Sequence, residues 1–199
     1  DSIQFFIETS EELISFSGLI NGNSGSVIDI SLNQYKLKYV FSELDSDGLI
    51  NYEITFSDSA GNESNPVSST TNNSYIIFDK TSPLSFNVGD VNTIGGNITE
   101  HAWNSTNTSL NIYIPIDNDE SLDSGRVQVQ AKIGLNSYEN VGNYNFIVSN
   151  ELNSSKIISI SDNLIKSING YSENDTITIN ALIFDIPGNV TPGIQSLTK

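Results

Sequence analysis

The chain has 199 residues, enough for one large β domain or for two of about 100 residues each. Eight basic side chains face 24 acidic ones, a net charge of −16. That balance excludes nucleic-acid binding by phosphate neutralisation and argues against adsorption to anionic lipid. Cysteine is absent, which excludes disulfides, thiolate metal sites and a cysteine nucleophile, and the single histidine excludes any site built on two imidazoles.

No apolar run approaches the ~18 residues of a membrane span. The opening Asp1-Ser-Ile-Gln-Phe-Phe-Ile7 has mid-strand character, so the chain reads as an excerpt of something longer. From there the strand period of two dominates. Val27, Ile28, Ile30 and Leu32 lead into Tyr35, Leu37 and Tyr39 across Asn33-Gln34. Ile50, Tyr52, Ile54 and Phe56 alternate with polar residues. A further strand is expected at Tyr75-Ile-Ile-Phe78. Leu110 to Ile116, Val127 to Ile133, Ile157 to Ile160 and Ile177 to Ile183 complete the series, with Gly, Asn, Asp, Ser and Pro between them. One segment departs from the pattern. Ser161 as a cap, apolar Leu164, Ile165 and Ile168, and Gly170 as a stop predict a helix of one to two turns. The expected fold class is all-β, two tandem sandwiches with one short helix in the second.

An internal repeat sets the expected domain count. Asp58-Ser-Ala-Gly-Asn62 recurs as Asp185-Ile-Pro-Gly-Asn189 at an offset of 127, and the strands before the two copies superpose. A boundary at Asp79-Lys-Thr-Ser-Pro83 divides the chain into residues 1–80 and 81–199, where Pro83 ends a ladder and stiffens the joint. The first unit reads as lacking its opening strand. It carries 12 acids and three bases and the second 12 acids and five bases, so acidity is spread along the chain.

The pair Asp58-Ser-Ala-Gly-Asn62 and Asp79-Lys-Thr-Ser-Pro83 resembles the signature of tandem bacterial Ig-like repeats, found in giant surface proteins and adhesins. Trp103-Asn-Ser-Thr-Asn-Thr108, Val127-Gln-Val-Gln130 and Gly170-Tyr-Ser-Glu-Asn-Asp-Thr176 resemble a longer repeat of the same kind. Lys80 stands where such repeats usually have a small or polar residue, and Pro187 where they usually have Ala. The resemblance implies Ig-like sandwiches on a cell exterior, flanked by further repeats of the same chain, without catalysis. A self-assembling sheath, filament or surface-layer subunit and a carbohydrate-binding module are the alternatives.

The residues admit their own chemistry. Asp58 and Asp185 are expected to accept backbone N–H groups in tight turns. Gly61 and Gly188 supply positive φ beside Asn62 and Asn189. Calcium, a cation of six to eight oxygen ligands, has three candidate sites: Asp45 with Asp47, the cluster Asp117, Asp119, Glu120 and Asp123, and Asp79 at the joint. The competing reading of these acids is solvated turns. Trp103 is the candidate sugar platform, against a role as an inter-sheet anchor. His101 beside Glu100 suggests a general base, yet no nucleophile turn and no phosphate loop accompanies it, so an enzyme is not expected. Asn62, Asn72, Asn97, Asn104, Asn107, Asn153, Asn174 and Asn189 each head an Asn-x-Ser/Thr sequon.

Overall fold

Strict alternation makes the longest strands half apolar, and each must lay its apolar face against another sheet. The computed structural model describes residues 1–100, 102–172 and 175–194, and the backbone of 197–198. It is all-β, in several antiparallel sheets with one short α-helix, α1 (Asp162–Lys166). Two compact units divide the chain, Asp1–Lys80 and Thr81–Lys199. No helix among the described residues is long and apolar enough to cross a membrane. His101 and Asn174 lie outside the described residues.

The first unit contains β1 (Ser2–Glu8), β2 (Leu13–Ile20), β3 (Asn23–Ser24), β4 (Ser26–Ser31), β5 (Gln34–Val40), β6 (Gly48–Leu49), β7 (Tyr52–Asp58) and β8 (Ile77–Phe78). They form sheets of order β1-β5-β4 and β3-β2-β7, with β6 paired to β8. β1 runs antiparallel to β5 in unbroken register, Ser2 opposite Val40 through Glu8 opposite Gln34. Its core is small: Ile3, Ile20, Leu37, Ile50, Ile54 and Phe78, ringed by half-buried aromatics such as Phe16, Tyr39 and Phe41. The turn after β4 falls on Leu32-Asn33, one residue earlier than expected, because Asn33 takes the left-handed conformation at φ 64°. Every residue of β4 is exposed, so its apolar side chains are surface rather than core. The expected strand 75–78 shortens to β8, since only Ile77 and Phe78 find ladder partners, Leu49 and Gly48.

The second unit contains β9 (Val91–Ile94), β10 (Ser109–Ile116), the 3-10 turn η1 (Glu120–Leu122), β11 (Arg126–Ile133), β12 (Glu139–Asn140), β13 (Asn145–Phe146), the 3-10 turn η2 (Ser149–Glu151), β14 (Ser154–Ser161), α1, β15 (Ile177–Phe184), β16 (Val190–Pro192) and β17 (Leu197–Thr198). One sheet has the order β14-β10-β9; the other runs β12-β11-β15-β16, with β13 also on β11 and β17 on β15. The apolar faces of both sheets enter one core of 22 buried side chains among the described residues. Leu110, Ile112 and Ile114 from one sheet and Val127, Val129 and Ala181 from the other are almost wholly inaccessible. In β14 Ile158 and Ile160 are buried and Ile157 is exposed, so the run carries apolar side chains on both faces but buries one alone. The helix seals the core with Ile165, followed by Ile168. Ser161 makes no side-chain cap bond there; Lys166 to Asp162, one turn apart at 2.9 Å, is the helix's ion pair.

Candidate functional site

Two hairpins one repeat apart carry the same carboxylate clamp. In the first unit Asp58 Oδ1 accepts the backbone N–H groups of Ala60 at 2.9 Å and Asn62 at 2.8 Å, and Oδ2 accepts Asn62 Nδ2 at 2.7 Å. In the second, Asp185 Oδ1 accepts Gly188 N at 2.8 Å and Asn189 N at 2.7 Å, and Oδ2 accepts Asn189 Nδ2 at 2.8 Å. Each aspartate's own N–H donates to the asparagine carbonyl at 3.1 Å. Gly61 at φ 85° and Gly188 at φ 104° occupy the left-handed position that lets the loop close so tightly. Pro187 offers no N–H where Ala60 donates one, and the neighbouring Gly188 N–H fills the vacancy. The Asn62 amide, ahead of the backbone donors, holds the Asp58 carboxyl below its usual range. The clamps differ in burial: Asp185 is fully buried, whereas Asp58 is half-buried.

The acidic positions with calcium-like spacing hold the backbone as follows. Asp45 is buried; its Oδ2 accepts Ser42 N at 2.7 Å and Ser42 Oγ at 3.0 Å, and its Oδ1 accepts the Tyr39 hydroxyl at 2.7 Å. Asp47 accepts the Lys80 N–H at 2.9 Å, and the Lys80 ammonium donates to the Glu43 carbonyl. Residues 43–47 therefore tie down the stretch that follows β8, and Asp79 sits half-buried within it. Asp119 caps η1 by accepting Ser121 N at 2.9 Å. Asp117 and Glu120 are exposed and Asp123 is half-buried. Among the described residues no three His, Cys, Asp or Glu side chains gather as they would around one ion.

Trp103 is half-buried and packs against the core of the second unit, with its Nε1 enclosed. It is held by a loop that asparagines build. Buried Asn107 donates to the Gly95 carbonyl at 2.8 Å and accepts Asn104 N at 2.8 Å, while Asn104 donates to the Asn97 carbonyl at 2.7 Å. Two of the sequon asparagines are therefore structural. A groove of about 540 Å³ lies in the same unit, walled by Leu84, Phe86, Pro115, Asp117, Asn153 and Ser155.

No family model matches the chain, and no curated protein matches it.

One cluster escaped the reading by motif. The guanidinium of Arg126, the chain's single arginine, lies 4.9 Å from the ring centre of Tyr144 and 4.5 Å from that of Phe184, and the two rings meet edge to face. On the same face of β11, Lys132 Nζ lies 4.9 Å from the Tyr138 ring centre. The even-numbered positions 126 and 132 share a face of the strand, which was legible; that aromatics from β15 and from the segment 138–144 arrive there was not.

Proposed function

We propose that the chain is a non-catalytic structural segment of a large extracellular surface protein or adhesin stalk, two Ig-like repeats that space or project other domains. The observation that carries this reading is the duplicated clamp at Asp58 and Asp185, made by the same side chains at the same offset in two separately cored units. Strand pairing supports it further. β1 with β5 and β2 with β7 in the first unit correspond to β10 with β14 and β11 with β15 in the second. In the second unit a three-stranded sheet and a six-stranded one, with α1 in the connection between them, are compatible with an Ig-like sandwich. Short polar turns and a separate core in each unit suit a part whose work is length and resistance to proteolysis.

Pulling the full chain by its ends in a force spectrometer tests the proposal. A stalk segment unfolds in two separate events that release about 28 nm and about 42 nm of contour, from ~3.5 Å per residue. Extension without a resisting event in either unit would overturn it.

A further inference from the structure

The cations of the second unit divide into two kinds. Lys156 is neutralised by Glu151 at 2.8 Å and Lys166 by Asp162 at 2.9 Å. Arg126 and Lys132 have no carboxylate partner among the described residues; both lie over aromatic rings on the outer face of β11. Tyr144 is 47% exposed and Phe146, opposite Arg126 in the ladder, is 65% exposed, so the cations are framed by apolar surface. Glu139, the acid on neighbouring β12, is engaged by the Asn169 N–H at 2.6 Å. Arginine and exposed aromatics together are the residue types that dominate binding energy at protein interfaces.

The complement is on the same molecule. Asp117 and Glu120, exposed around η1, have no cationic partner among the described residues, in a chain of 24 acids and eight bases. We propose that the stripe Arg126, Tyr144, Phe146 and Lys132 is the surface through which two copies of this chain associate, with the acidic 117–123 loop of one copy lying on the cations of the other. A second copy supplies both halves of the contact, as a self-complementary interface requires. The repulsion between two chains of net charge −16 is long-ranged and is screened at physiological salt, where the Debye length is about 8 Å. The contact charges and apolar side chains act at shorter range. The inference is independent of the stalk reading, because it concerns only one face of one unit.

Sedimentation velocity of the full chain in 0.15 M salt, from about 10 µM to 1 mM, reads the association directly. The expected result is a concentration-dependent dimer. It weakens at least about tenfold in Arg126→Gln/Lys132→Gln and again in Phe146→Ser, with circular dichroism and unfolding midpoints unchanged. Glu120→Lys alone should weaken it as well. A chain that stays monomeric through the whole range overturns the proposal, as does a dimer indifferent to all three variants. A monomer that binds a soluble acidic polysaccharide through Arg126 would also overturn it and reassign the stripe to a glycan.

Discussion

Asp185 and Asn189 hold one another by three bonds. The asparagine gives its backbone and side-chain N–H groups to the two carboxylate oxygens, and its carbonyl receives the aspartate's N–H. Because Asp185 is fully buried, its removal leaves donors unsatisfied in a dry place. Asp185→Ala is expected to destabilise the second unit by about 3 kcal/mol. Asp58→Ala, at the copy of the clamp that is only half-buried, is expected to cost less. Urea unfolding of the full chain should resolve two transitions. The earlier belongs to the first unit, whose buried core has six residues against 22 among the described residues. Equal shifts for the two variants would contradict the burial argument.

Tyr39 and Asp45 set a pH window for the first unit. The Ser42 backbone N–H, then the Tyr39 hydroxyl, hold the Asp45 carboxyl below its ordinary value, and the bond to Asp45 raises the Tyr39 phenol. A depressed carboxyl contributes stability above its unfolded pKa of about 3.9 and loses it as pH falls through the folded value. A raised phenol contributes below about 10 and loses it as pH rises through the folded value. The stability difference between the wild type and Tyr39→Phe should therefore form a plateau between about pH 4 and pH 10, declining on both sides. Denaturant midpoints across that range check it, and a flat difference throughout would be inconsistent with the bond.

Leu37 fills the space that two glycines leave open. A Cβ built on Gly25 would lie 2.6 Å from Leu37 Cδ1, and one on Gly18 would collide with the same side chain. Neither glycine is needed for positive φ, so the constraint is packing between β2 and β5 where the chain crosses from one sheet to the other. Gly25→Ala should destabilise the first unit by about 1–3 kcal/mol through overpacking. Adding Leu37→Val should return part of the loss, a coupling that a double-mutant cycle measures.

Calcium would have to displace existing bonds at two of its candidate positions. Asp45 already accepts three hydrogen bonds, and Asp119 is committed to the cap of η1. The midpoint of the first transition is therefore expected to be the same in excess Ca2+ and in chelator. An ion bound only to the folded state at a hundredfold excess over Kd would add about 2.7 kcal/mol, a rise of several degrees. A rise confined to the second transition and lost in Asp117→Asn would assign calcium to the 117–123 loop.

The all-β class was legible because period-two alternation has one physical solution, a sheet with one face buried. The clamp at Asp58 and Asp185 was legible too, since a short carboxylate before Gly-Asn can reach only the N–H groups of its own turn. Sequence could not tell which apolar face finds a partner. β4 carries Val27, Ile28 and Ile30 and β10 carries Leu110, Ile112, Ile114 and Ile116, yet the β10 side chains are buried and β4 is exposed along its whole length. Nor could it tell a carboxylate aimed at solvent from one closed by Tyr39, because that depends on how β5 and the loop after it approach in space. The meeting of Arg126 with Tyr144 and Phe184 has the same origin. Three strand and loop positions far apart in the chain share one face only once the β11–β15 ladder has set its register, a choice made by the buried residues beneath them.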